Sequence, residues 1–249
     1  MPHIDVQIDG IEFDDPTLIE GLPGVGLVGK IAADHLVRTF DMPHYASVYC
    51  DGLPRVVVYR EGESDLRPPV RLHADANRNL LVLQSDVPVS PSDATDFATC
   101  IVNWLDEHGV TPLYLSGLPT EDTEDAEGAP ALRGVSTGMG SDVLGRAGLA
   151  PVDESGVISG PTGALLHRSV EIGLSSVGLV IESDPRFPDP GAAQVLLEDG
   201  IEPITDIEID TDDLVEQAER TRTAREQLAA RMQQADDEST QAQPLQMYQ

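Results

Sequence analysis

Leu80-Leu81-Val82-Leu83, then Ser90-Pro91-Ser92-Asp93-Ala94, then Leu113-Tyr114-Leu115 is the stretch whose reading decides the fold. Four consecutive apolar residues at 80–83 have the pattern of a strand covered on both faces, and Leu113-Tyr114-Leu115 reads as its partner. Between them Ala94, Phe97, Ile101, Trp104 and Leu105 recur at helical spacing. Ser90 is placed to cap that helix, Pro91 fits its first turn, Asp93 suits its dipole, and Gly109 ends it. Strand, helix and strand in that order predict a right-handed crossover and hence an α/β sheet.

Outward from that unit the alternation continues. Leu18-Ile19-Glu20 is strand-like, Gly21-Leu22-Pro23-Gly24 is a turn, and a helix is expected from about Val25 to Phe40. Val56–Tyr59 and Val70–His73 read as extended arms or hairpin strands, the second joined to 79–83 by a turn at 74–78. Residues 121–128 form a charged loop, and a helix near 162–172, a strand at 177–181 and a helix near 191–197 complete a domain spanning 1–210. From 211 to 235 strong helix formers predict a C-terminal helix with Leu214, Ala218, Leu228 and Met232 on one side. That stripe is thin, so the helix is either a weak coiled-coil seam or one that lies on, or protrudes from, the surface. Residues 236–249 are expected to be a flexible tail: 236–243 hold no large aliphatic or aromatic residue, and Pro244 stops a helix. The last three residues, Met247, Tyr248 and Gln249, would then be displayed in solvent as a docking plug or simply fray.

Of 249 residues, 44 are acidic and 15 basic, a formal net charge of -29, and Lys30 is the one lysine. Such a chain repels itself in dilute salt, and the repulsion is screened at molar salt, which points to the cytosol of a salt-in halophile. The same charge excludes nucleic acid and anionic membrane as partners bound through a basic surface. The N-terminus lacks the basic and apolar regions of a secretory signal and no apolar run is long enough to span a bilayer, so a soluble, cytoplasmic protein is expected. Cys50 and Cys100 lie far apart in sequence within apolar segments and are expected to be buried, reduced thiols.

Two motifs could carry chemistry. Gly24-Val25-Gly26-Leu27-Val28-Gly29 satisfies GxGxxG, and with Lys30 it satisfies GxxxxGK, so this turn could cradle an anion at a helix N-terminus. Ile31 stands where a Walker motif needs Ser or Thr for magnesium, which favours a packing role for Gly24, Gly26 and Gly29 and an ionic or oligomer contact for Lys30. Gly134-Val135-Ser136-Thr137-Gly138 matches GxSxG, with Asp153 and His167 following in hydrolase order. Ala131-Leu132-Arg133 is too short and polar to be the buried strand of a nucleophile elbow, so a flexible loop is the reading there. With no HExxH and no CxxC, neither metal nor cofactor is expected.

Four ordered blocks together resemble the proteasome assembly chaperone 2 family, in an archaeal form: Glu20 through Ala33, Leu81 through Pro88, Gly156 through Gly163, and Pro188 through Ala193. The resemblance covers about 11–209. It implies a three-layer α/β/α domain similar to nucleoside phosphorylases, without catalysis, acting in homo-oligomers on the α-ring of the proteasome core. It also gives the tail a use. A hydrophobic-Tyr-X end docks into α-ring pockets, which maps onto Met247, Tyr248 and Gln249. The competing expectation is a nucleotide- or small-molecule-binding enzyme built on the Gly24–Lys30 turn.

Overall fold

Leu18 and Ile19, adjacent in sequence, are both fully buried but in different cores, so this strand is covered on both faces. It is β2 (Thr17–Gly21), near the centre of an eight-stranded sheet in the computed structural model, which describes residues 2–220 except 9, 60, 63, 121–128 and 219. The remaining strands are β1 (His3–Val6), β3 (His44–Tyr49), β4 (Val70–Asp75), β5 (Leu80–Ser85), β6 (Thr111–Pro119), β7 (Leu132–Thr137) and β8 (Ser176–Ser183). Their order across the sheet is β1-β3-β4-β5-β2-β6-β8-β7. β5, β2, β6 and β8 run parallel, and antiparallel pairs flank them on both sides.

Helices cover both faces, making the three-layer α/β/α arrangement. One core joins Leu18, Leu81 and Leu83 to Phe97, Ile101 and Leu105 of α2 (Ala94–Glu107) and Leu165 of α4 (Gly160–Ile172). The other joins Ile19, Val82 and Leu113 to Ala32 and Leu36 of α1 (Val28–Thr39), Leu144 of α3 (Gly140–Ala147) and Ala192 of α5 (Pro190–Val195). A π-helical stretch, Leu196–Ile201, and a short α6 (Glu202–Thr205) follow. Residues 212–218 begin the C-terminal helix, whose Leu214 is buried in the second core; the rest of that expected helix, the tail, and the charged loop at 121–128 lie outside the described residues.

Five expectations need correction. Leu113–Leu115 is not the partner of 80–83: β2 lies between β5 and β6 and pairs in parallel with each, so the crossover steps over one strand. The helix begins at Ala94, not at Ser90. Residues 91–93 make a turn in which the Ser90 hydroxyl donates to the Asp93 carboxylate, and Asp93, not Ser90, takes the N-cap position. Of the two readings of Val56–Tyr59, the hairpin strand fails and the extended arm stands: the segment contributes one isolated antiparallel bridge, Val58 to Arg67, and no strand of the sheet. Gly134–Thr137 is not a loop but most of β7, whose backbone pairs with β8. Cys50 and Cys100 are not free thiols. Cys50 follows the end of β3, Cys100 sits in α2 packed over it, their Cα atoms are 5.8 Å apart, and the two form a disulfide.

Candidate functional site

The carboxyl ends of parallel strands are where open α/β sheets place their sites. Here those ends are Gly21, Ser85, Pro119 and Ser183. All four sequence blocks of the resemblance meet there, and the first touches each of the others. Gly26 C=O accepts from the Asp189 N–H at 2.8 Å, joining the glycine turn to the loop before α5. Glu20 accepts from the Thr162 hydroxyl at 3.3 Å, joining β2 to the first turn of α4. Lys30 Nζ reaches Asp86 at 3.4 Å, joining α1 to the segment after β5.

The glycine turn is shaped by close approach. A 3₁₀ turn, Val25–Leu27, leads into α1, and Gly26 and Leu27 take φ of 60° and 53°, the left-handed region. A Cβ on Gly26 would stand 1.8 Å from Ser183 Oγ, and one on Gly21 would stand 2.2 Å from the Ala33 Cβ. Both positions therefore need glycine for helix and turn to sit on the sheet. Gly29 also faces the sheet, where a Cβ would lie 3.2 Å from that of Leu115, while Gly24 has open space around it. Asp189 secures the other side, accepting from Ser183 Oγ at 3.1 Å and capping α5 through the Ala192 N–H at 3.0 Å.

Lys30 belongs to a network on the α1 face of the sheet. Its ammonium bonds both oxygens of Asp34, at 2.9 and 2.8 Å, as well as Asp86. Asp34 accepts from Gln84 Nε2 at 2.8 Å. Fully buried Arg71 donates to Gln84 Oε1, to Asp86 Oδ2 and to the Pro68 carbonyl, each at 2.6 Å. Two cations and two carboxylates thus balance. Burial acts to raise the Asp86 carboxyl, but Arg71 and Lys30 together hold it below the usual range. Next to Arg71 in the same strand, burial pushes His73 down to about 4, so it is neutral at pH 7, with Nδ1 2.9 Å from the Met42 carbonyl oxygen.

On the opposite face lies Glu20, fully buried. Its carboxylate accepts from the Leu22 N–H at 3.1 Å and the Leu115 N–H at 2.9 Å as well as from Thr162. Burial pushes its carboxyl up to about 7, against the downward pull of those donors. A carboxyl poised at neutrality is a candidate acid or base only where substrate can reach it. This one is sealed beneath α4, and both its oxygens are bonded to the fold. Arg71, Gln84, Asp34 and Asp86 were assigned no role from sequence; the signal for Arg71 is the alternation Val-Arg-Leu-His-Ala-Asp in β4, which puts Arg71 and His73 on the face away from Val70, Leu72 and Ala74, and that for Asp34 is its i,i+4 spacing from Lys30.

The GxSxG residues do not assemble a triad. Ser136 lies inside β7 opposite Val177 instead of on a strand-to-helix turn, and the Asp153 carboxylate pairs with Arg133 at 2.6 Å. His167 is exposed on α4. Met247, Tyr248 and Gln249 lie outside the described residues. Among the described residues no group of His, Cys, Asp and Glu could hold a metal, and no helix is long and apolar enough to cross a membrane.

A mixed α/β sheet with an interlocked carboxyl end defines a scaffold whose signature residues face one another. The chain belongs to the PAC2 family, whose model matches residues 18–229. Pyrococcus furiosus PbaA, an archaeal homologue of proteasome-assembly chaperone, superposes with a TM-score of 0.75 at 26% identity, covering 94% of this chain and 99% of that one. Pyrococcus furiosus PbaB, an archaeal proteasome activator, shares the fold with a TM-score of 0.75 at 24% identity, over 92% of this chain and 98% of that one. An uncharacterised protein of Methanocaldococcus jannaschii is 27% identical over 229 residues, 88% of this chain and 87% of its own length.

Proposed function

We propose that this chain is a non-enzymatic, homo-oligomeric partner of the proteasome core, an assembly chaperone or activator, which docks Met247, Tyr248 and Gln249 into pockets between α-ring subunits. The observation that carries the reading is family membership over residues 18–229, with likeness to an archaeal homologue of proteasome-assembly chaperone along nearly the whole chain. The interlocked site supports it from the other side. Lys30, the natural phosphate ligand of the glycine turn, is directed at Asp34 and Asp86, which supports a packing role for the turn over nucleotide binding.

In this reading the terminal carboxylate meets a lysine in the pocket, Tyr248 supplies a ring and a hydroxyl donor, and Met247 fills an apolar groove. Several tails per oligomer add avidity. The test is capture of assembled core particle by three forms of the full-length protein: wild type, a form lacking residues 247–249, and Tyr248→Ala. Wild type should retain the core and the other two should lose it. Equal capture by all three would end the tail-docking model.

A further inference from the structure

Residues 52–69 leave the sheet after β3 and return at Val70, opposite Ser85, so this arm emerges at the same carboxyl end as the interlocked site. The two limbs of the arm, on either side of the turn at Glu61 and Gly62, display apolar side chains to solvent: Val56 is 48% exposed, Val57 61%, Tyr59 81% and Leu66 65%. Clustered exposure of that kind marks an interaction surface, whereas single exposed apolar residues do not. Both roots of the arm are fastened. At the first, Cys50 is tied to Cys100 of α2 and the Leu53 N–H bonds the Cys50 carbonyl. At the second, Arg71 holds the Pro68 carbonyl and the Asp86 N–H bonds that of Pro69. Apolar limbs on anchored roots lose little freedom on binding.

Charge says what the arm meets. The whole chain carries -29, yet residues 52–69 contain three arginines (55, 60 and 67) and three acids (61, 63 and 65), a local balance of zero. Two copies of so acidic a protein repel across most of their surfaces and least where the local charge vanishes. The arm also carries both signs in a short span, so its surface can be self-complementary, as an isologous interface requires. Resting on the homo-oligomer part of the reading above and deepening it, we infer that the 52–69 arm is the surface through which two copies of this chain associate.

The experiment is mass determination by sedimentation velocity and light scattering on the full-length protein in molar KCl, over a range of concentrations. Wild type is compared with Tyr59→Ser/Leu66→Ser and with Val57→Asp. Because these side chains lie in solvent, both variants should keep the wild-type circular dichroism and melting midpoint. Wild type should sediment above the 26.7 kDa of one chain and both variants should fall to a smaller species. Variants that keep the wild-type mass overturn the proposal. So does a wild type that is monomeric throughout, including the case where the variants alone fail to capture proteasome core, which would assign the arm to that partner. Loss of oligomer in the variants while wild type fails to bind any core particle leaves this inference standing and removes the proteasome reading.

Discussion

Glu20 shows how a buried acid can serve the fold at one protonation state better than at another. Its folded-state pKa of about 7 stands above the ordinary 4.5, so the folded protein holds a proton that the unfolded chain releases in that window. The resulting stability is fully present below 4.5 and is lost as pH rises through 7, on the order of 3 kcal/mol. His73 acts oppositely. Its folded pKa is lowered from 6.5 to about 4, so its contribution falls as pH drops through that window. Glu20→Gln isolates the first effect, because His73 is common to both proteins. The substitution places an amide NH2 against the N–H of Leu22 or of Leu115, a conflict costing about 1–3 kcal/mol. Chemical denaturation should therefore find the variant less stable near about pH 5, with the gap narrowing toward about pH 8. A gap that stays constant across that range would mean Glu20 does not titrate as its burial implies.

At the scale of elements, the Cys50–Cys100 bond ties the end of β3 to the middle of α2 across 50 residues of chain. Closing so long a loop stabilises the fold by about 2–4 kcal/mol, chiefly by restricting the unfolded chain. Cys100→Ala should lower the unfolding midpoint by about that equivalent, and a dithiol reductant should lower the wild-type midpoint without changing the variant's. Thiol titration of denatured, unreduced protein should read no free thiol; a reading of two would show that the bond does not form. Nothing in the sequence pointed to this pairing, since separation along a chain carries no distance. The β4–β5 hairpin was legible because a polar turn, expected at 74–78 and found at 76–79, separates two alternating or apolar runs, and α1, α4 and β8 lie within a few residues of their expected bounds. β1, β3 and β7 were missed. They are short strands of mixed polarity such as His44-Tyr45-Ala46-Ser47-Val48-Tyr49, whose identity depends on partners elsewhere in the chain. The site divides in the same way. An ionic role for Lys30 was legible from its being the one lysine, and Asp34 is one helical turn away, but Asp86 reaches it only because β5 ends beside α1.

For the whole molecule, the governing quantity is the imbalance of 44 acids over 15 bases. Even if every base were paired, 44 minus 15 leaves 29 carboxylates with no cation to meet. The pairs that do form are of two kinds. Arg71–Asp86, with the arginine fully buried, is shielded from salt, whereas Arg168–Glu171 and Arg220–Glu216 are open to it and contribute little. Raising KCl to about 1 M shortens the screening length to roughly 3 Å. That removes most of the repulsion among the unpaired carboxylates, costs only the few exposed pairs, and leaves the buried network and both apolar cores in place. Repulsion is the larger sum, so the sign is fixed: stability should rise with salt, and the thermal midpoint should be higher in about 3 M than in about 0.1 M KCl. Self-association through the charge-balanced arm should strengthen over the same range, since salt weakens the repulsion between copies while apolar contact persists. Equal midpoints at the two concentrations would show that the surplus carboxylates are too far apart to repel, and the inference of a salt-rich cytosol would go with it.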